Sequence, residues 1–322
     1  MDKPYVVGID IGGQTAKIGL VDARGNVLTQ TAIVSNDTDD YKVFIKNLCD
    51  AVTKLVNKEY SMSQVRGIGI GAPNANFYKG TIENTVNLTW GGNGKLIIPF
   101  AEEMSKIIKL PVKLTNDANA AALGEMTYGV ARGMKDFIMI TLGTGVGSGI
   151  IVNGNLLYGH DANAGELGHV TMVRQNGRLC GCGKTGCLEA YCSATGVART
   201  AREMLETSDR KSLLRNIPPE SISSKDVFEA ANQGDELAKE IFDFTGTMLG
   251  AALADFVAFS SPEAFVLFGG LTRSGDFIMK PVVDSLNRNV MPRWKNKIKV
   301  LFSQLKESDA AILGASALAW EV

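Results

Sequence analysis

The residues with the greatest chemical reach lie between His160 and Ser193, in HDANAGELGHVTMVRQNGRLCGCGKTGCLEAYCS. This stretch holds both histidines of the chain, four of its five cysteines, the carboxylates Glu166 and Glu189, and six glycines that let the backbone turn tightly. His169, Cys180, Cys182 and Cys187 offer one imidazole and three thiolates, the donor set of a closed tetrahedral zinc. Cys180 and Cys182, one residue apart, are poorly placed to pair with each other as a disulfide. Without a metal, the same residues read as free or buried thiols in a reduced protein. With one, the ligand shell is full, the ion is structural, and its effect is to hold Glu166 and Glu189 still.

A second set of candidate groups sits on glycine turns. YVVGIDI, GGQT, AKIGLVD and ARGN read as strand, turn, strand and turn. Gly12 and Gly13 let backbone N–H groups approach an anion, with Gln14, Thr15 and Lys17 following, and Asp10 at the strand end suits a hydrated metal ion. Taken alone, this is also how an ordinary glycine turn reads. The pattern recurs about 131 residues later, where FIMITLGTGVGSGIIVNGNL repeats strand, glycine turn (Gly143, Thr144, Gly145), strand and turn. IDIGG matches ITLGT, and RGNV matches NGNL. Two related lobes, each offering a glycine hairpin to the same phosphates, are the simplest physical reading. Gly269 and Gly270, after the apolar AFVLF, read either as a turn backing an adenosine or as a plain helix start.

These groups need a scaffold, and the rest of the chain reads as α/β. Phe44, Leu48, Val52 and Leu55 at helical spacing predict a helix over 41–58, VRGIGIGAPN a strand with a turn, and Pro99 to Lys109 a helix. VKLT is a short strand and DANAAALGEMTYG an alanine-rich helix ended by Gly129. Asn116 and Asp117 thus stand where a strand passes into a helix, a ligand position in α/β sheets; without chemistry, Asp117 is a helix cap. Helices are expected over 198–205, 225–232 and 235–259, strands at AFVLF and KIKVLFS, and a terminal helix at DAAILGASALAW. Two hairpins, Asp10, Asp117 and a rigid loop point to phosphoryl transfer from a nucleotide to a hydroxyl, with Asp117 taking the proton. A sugar acceptor would share hydrogen bonds with Asn116, Glu166, His169 and Glu189.

Composition narrows the alternatives. At 322 residues, 45% hydrophobic and 21% charged, the chain can build one large or two medium cores. A net charge of −1 provides neither a basic field for nucleic acid nor a polybasic membrane anchor. The N-terminus runs into a strand without a basic-then-apolar leader, and no 18-residue apolar run is seen, so a cytoplasmic protein is expected. Five cysteines, clustered with a histidine, fit a reducing compartment.

In this order, IDIGGQTAK, NDANAAALGE, LGTGVGSGI, GELGH, CGCGKTGCLEAY and FGGLTRSG resemble the ROK family of bacterial sugar kinases and repressors, most of all its glucokinases, over essentially the whole chain. The resemblance implies a two-lobed actin-like (ribonuclease H-like) α/β ATPase fold with duplicated lobes and an interlobe cleft. Residues 1–117 would form the small lobe, with a helix about 308–322 packing back on it, and 118–307 the large lobe with the zinc loop. It implies Mg-ATP as donor, a homodimer, Asp117 as base, and Asn87, Asn116, Glu166, His169 and Glu189 as sugar contacts. His169, Cys180, Cys182 and Cys187 match the zinc ligands, with His169 facing metal and sugar through its two ring nitrogens. The expected reaction is phosphorylation of D-glucose at its 6-hydroxyl, with N-acetylmannosamine, N-acetylglucosamine and fructose as alternative acceptors. The family's repressors carry a helix-turn-helix ahead of the first hairpin; here seven residues precede Gly8, which favours the kinase. Three positions depart from the family pattern: Gln14 stands for threonine, Asn74 for glycine, and Asn87 lies in an altered setting.

Overall fold

Strand pairing begins at the first glycine turn. β1 (Tyr5–Ile11) and β2 (Thr15–Asp22) pair antiparallel from Tyr5↔Asp22 to Ile11↔Ala16, which leaves Gly12, Gly13 and Gln14 as the connection. The chain is described here by a computed structural model covering residues 3–321, apart from the side chains of residues 307 and 308. Met1, Asp2 and Val322, at the outer ends of the ranges expected for the small lobe, lie outside the described residues.

β3 (Val27–Val34) adds antiparallel to β2, α1 (Tyr41–Val56) crosses over, and β4 (Val65–Gly71) pairs parallel to β1. The short strands β5 (Ala75–Asn76), β6 (Thr81–Glu83) and β7 (Ile97–Ile98) form a separate antiparallel sheet. Then α2 (Phe100–Ile108) leads to β8 (Val112–Thr115), parallel to β4, and α3 (Asp117–Tyr128) follows. The second half builds β9 (Phe137–Leu142), β10 (Val146–Val152) and β11 (Asn155–Leu156), then α4 (Glu189–Cys192), α5 (Ala194–Glu206), α6 (Ser224–Asn232) and α7 (Glu236–Ser260). It closes with β12 (Ala264–Phe268), α8 (Asp276–Asn289), β13 (Lys299–Phe302) and α9 (Glu307–Leu318).

The two large sheets have the orders β3-β2-β1-β4-β8 and β11-β10-β9-β12-β13. Strand for strand the order is the same, with a meander of three antiparallel strands followed by two parallel ones. The repeat read in the glycine turns is therefore a duplication of a whole sheet, and the fold is the two-lobed actin-like α/β architecture. Three features were not expected from the sequence. β3 keeps its apolar residues in two clusters, Val27–Leu28 and Ala32–Val34, around Thr29–Thr31, so it lacks the apolar alternation of a half-buried strand. The small β5–β7 sheet and the one-turn helix α4 are too short to show a period. Gly269–Gly270 opens a 3-10 turn over Gly270–Ser274 rather than an α-helix, and α8 begins only after Gly275.

Between the sheets lie α3 and α9, and sequence explains why they fit there. Both are rich in alanine and glycine and are covered on more than one side, so neither carries a single apolar stripe. A side chain at Gly8 or Gly69 would place its Cβ 2.1 Å from Ile312 O or 1.9 Å from Ala315 O, so the α9 backbone rests directly on β1 and β4. α3 packs against the other sheet, with Ala118 and Ala122 against Gly149 of β10, and it meets α9 where Gly124 touches Gly314. The cluster joining them draws Phe137, Met139 and Val266 from the second sheet and Leu318 from α9. α7 is long and apolar enough to cross a membrane by length and composition, and Leu249, Leu253 and Val257 on it are fully buried in the protein core.

Candidate active site

Two carboxylates meet at the ends of the first-sheet strands. Asp10 sits near the end of β1, in register with Lys17 of β2 and Gly71 of β4. Asp117 opens α3. The cap of that helix is Asn116, whose Oδ1 accepts from Asn119 N at 2.7 Å, so the capping role that Asp117 alone could have filled belongs to its neighbour. Asp117 keeps one short bond, from Ala118 N to its Oδ1 at 2.8 Å, and is exposed. A Cβ at Gly71 would lie 3.9 Å from both Asp10 Oδ1 and Asp117 Cα, which places the two acids around one spot. Burial, and then the charge of Asp117, push the Asp10 pKa up to about 6, against the opposing pull of Lys17.

That shift has a consequence for stability. A carboxyl whose pKa is higher folded than unfolded stabilises the fold below about pH 4, and that contribution is lost as pH rises to about 6, up to ~3 kcal/mol in all. In magnesium- and nucleotide-free protein, Asp10→Asn should therefore gain on the wild type between pH 4 and 6, reaching about 1–3 kcal/mol at pH 7.5. Urea unfolding of both proteins at pH 4.5 and 7.5 measures it. A pH-independent difference would show that Asp10 is not strained by burial and Asp117.

The glycine turns converge on the same region. Gly12 N donates to Thr15 O at 3.0 Å, closing the first turn, and Gln14 lies exposed there with its carbonyl accepting from Ser35 N. Asn36, which the sequence did not single out, clamps this turn: its Nδ2 donates to Gly13 O and to Asn87 O, and its Oδ1 accepts from Thr89 N at 2.9 Å. In the second hairpin Gly143 N donates to Gly145 O, Ala194 N to Gly143 O, and Thr195 Oγ1 to Thr144 O, so α5 braces it. Gly269 has φ +108°, and any Cβ there would sit 2.6 Å from Leu142 O; only glycine lets the third turn touch the second hairpin. Gly143, Thr144 and Gly270 line a cavity of about 410 Å³ together with Ser224, Lys225, Phe228, Glu229 and Arg273. The α6 residues in this lining carried no motif in the sequence.

The metal loop closes as expected. The ligand atoms of His169, Cys180, Cys182 and Cys187 lie within 4.8 Å of one another. Cys182 Sγ is 3.7 Å from Cys187 Sγ, and Cys180 Sγ is 3.7 Å from His169 Nδ1. A tetrahedron with metal–sulfur bonds of about 2.3 Å has edges near ~3.8 Å, so this donor set fits zinc and the sulfur spacing excludes a disulfide. Burial pushes the Cys180 thiol up to about 12, while the backbone N–H of Lys184 holds exposed Cys182 below its ordinary value. The other ring nitrogen, His169 Nε2, faces Glu166 Oε2 at 3.9 Å. Glu189 bridges the loop to the second hairpin, its Oε1 3.4 Å from Cys180 Sγ and its Oε2 accepting from Val146 N at 2.9 Å.

A polar cavity of about 470 Å³ lies beside this loop, lined by Asn116, Asp117 and Glu166 and, beyond the expected residues, by Asn74, Asn76, Glu83, Asn84, Ala162 and Asn163. Asn74 has φ +55°, the left-handed conformation that lets asparagine replace glycine. Three expected contacts are not among the residues lining this cavity: His169 faces Glu166, Glu189 is bonded to Val146 N, and Asn87 lies beside Gly13. A narrower cavity of about 170 Å³, reaching Asp10, Thr141 and Phe268, also has Asp117 in its wall.

Comparison with known proteins agrees with this geometry. Residues 6–322 match the ROK family. A glucokinase of Halalkalibacterium halodurans is 36% identical over 317 residues, spanning 98% of this chain and 94% of its own. The glucokinase of Thermotoga maritima is 34% identical over 324 residues, spanning 99% and 98%. The crystal structure of a ROK family glucokinase from Streptomyces griseus, in complex with glucose and AMPPNP, covers 99% of this chain and 100% of its own with a TM-score of 0.78 at 32% identity. The ordered glycine turns, the duplicated sheets, the loop of one histidine and three cysteines and these full-length matches together establish that the chain belongs to the ROK family.

Proposed function

We propose that the protein is an ATP-dependent glucokinase, transferring a phosphoryl group to the 6-hydroxyl of D-glucose to give glucose 6-phosphate and ADP. The observation that carries this reading is the position of Asp117, in the wall of the polar cavity and of the narrow one that reaches Asp10 and the second hairpin strand. A hydroxyl in the polar cavity meets an exposed carboxylate with a free oxygen, the requirement for a general base. The nucleotide belongs in the 410 Å³ cavity, with its phosphates toward Gly12, Gly13, Gln14, Thr15 and Lys17 on one side and Gly143, Thr144 and Gly145 on the other, and Gly269 and Gly270 behind the adenosine. Asp10 is suited to hold magnesium, which neutralises phosphate charge when bound.

The sugar's remaining hydroxyls would bond to Asn116 and Glu166 directly. His169 orients Glu166 and, with Glu189 and Asn87, reaches the sugar when the cleft closes around it. Structural zinc on His169, Cys180, Cys182 and Cys187 would keep that wall rigid. The division into a small lobe of residues 1–117 plus the C-terminal helix and a large lobe of 118–307 is supported by the two sheets and by α9 lying on β1 and β4. A cytoplasmic homodimer acting on small molecules, without a nucleic-acid or membrane partner, fits the near-zero net charge and the family resemblance.

The substrate is tested by kcat/KM for glucose, fructose, N-acetylglucosamine and N-acetylmannosamine measured side by side. Glucose is expected to lead, because acceptors that the bound sugar shields from water and leaves unpaired for want of a hydroxyl penalise other sugars. A tenfold preference for an acetylated sugar, about 1.4 kcal/mol of transition-state binding, would overturn the glucose assignment and leave the kinase.

A further inference from the structure

We infer that Ala162 is a specificity-determining residue whose methyl group narrows the sugar cavity and excludes hexoses carrying an N-acyl group; this rests on the sugar-kinase reading above. The loop that holds it, residues 158–165, runs across the two halves of the molecule. Tyr158 stacks on Phe77 with centroids 3.9 Å apart and planes 9° apart, and Tyr78 Oη donates to Gly159 O at 2.9 Å. Asn76 is 7% exposed and donates from Nδ2 to Asp161 O at 3.0 Å, while its Oδ1 accepts from Lys79 N. At the far end Ser148 Oγ donates to Gly165 O and accepts from Leu167 N, which fixes Glu166 between them. The loop is thus tied at both ends, and its middle is the wall of the cavity that holds Asp117.

Ala162 takes φ +68° in that middle. Among the described residues, the other positive φ values outside glycine and asparagine belong to Lys109 and Ser261, which terminate α2 and α7. Ala162 ends no helix. It is 5% exposed and lines the polar cavity, and glycine would take this backbone conformation without strain. What alanine adds over glycine is one methyl group, kept at a conformational cost in a wall that apart from Pro73 and Ala75 is asparagine and carboxylate. Strain held in place at a binding site is a signature of function. The methyl limits how bulky a sugar can be while Asp117 and Glu166 hold it from the sides.

The test compares wild type, Ala162→Gly and Asn76→Ala with ATP and glucose, N-acetylglucosamine or N-acetylmannosamine. Ala162→Gly is expected to raise the acetylated-to-glucose ratio of kcat/KM at least fivefold, with KM for ATP within twofold of wild type and a thermal midpoint equal or higher. Asn76→Ala, which frees the loop and keeps the methyl, is expected to raise KM for glucose severalfold and move the ratio less. A ratio within twofold of wild type in Ala162→Gly, or an equal rise in Asn76→Ala, overturns the inference. Wild-type protein inactive on every sugar sinks the kinase reading and this inference with it; active wild type with an unmoved ratio sinks the inference alone.

Discussion

Asp117→Asn is expected to bind glucose and turn it over at least about a hundredfold more slowly, the loss typical of removing a general base. The change keeps the side-chain shape, and the amide oxygen can still accept from Ala118 N as Oδ1 does. The helix does not depend on it either, because Asn116 is the cap. Thermal stability should therefore stay within a few degrees of wild type, separating a chemical loss from a folding one. A second readout follows from the shared electrostatics. The charge of Asp117 helps hold the Asp10 carboxyl up near 6, so in the variant Asp10 ionises at lower pH, and its destabilising effect shrinks. Single-turnover phosphorylation with saturating sugar measures the first effect, and urea unfolding between pH 4 and 7 the second. Turnover near the wild-type rate would mean that the base lies elsewhere.

The second large effect is on the metal loop. One zinc per chain is expected in protein purified without added metal, and Cys187→Ser, at a fully buried ligand, should lose both the zinc and most of the activity. The loop from Thr171 to Cys187 is held by scattered bonds such as Met172 N to Gly186 O and Gly186 N to Arg178 O, by Met172 and Val173 partly packed on the core, and by Arg178 stacked on Tyr191. Apolar burial there is too small to order the loop unaided, so the ligand bonds contribute most of its local stability. Loss of the ion frees His169 from Cys180, and with it the orientation of Glu166. Between Thr171 and Cys187 the chain forms isolated bridges and turns rather than a helix or a strand, so far-UV circular dichroism should change little. Elemental analysis with a parallel assay decides it: less than about half an equivalent of zinc with activity intact would sink the idea.

What could be read from the sequence was local. The two glycine hairpins were legible because a turn residue declares its backbone within three or four positions, and their repetition showed the duplication before any strand pairing was known. The set of one histidine and three cysteines was legible because its four ligands fall within nineteen residues, and Asp117 because a strand end and helix start flank it directly. Capping at that helix was not settled, since asparagine and aspartate cap equally well and only the backbone angles of Asn116 choose between them. β3 escaped notice because its apolar residues cluster at the two ends of the strand instead of alternating along it. The tertiary structure decided the rest: Asn36 tying the first turn to Asn87, α6 folding over the second hairpin, and Asn76 reaching Asp161 across 85 positions. It also decided which polar residues line the cavity that holds Asp117 and which do not. A side chain's type states what bonds it can make, but the partner is supplied by long-range packing, and no local pattern records which distant segment that packing brings.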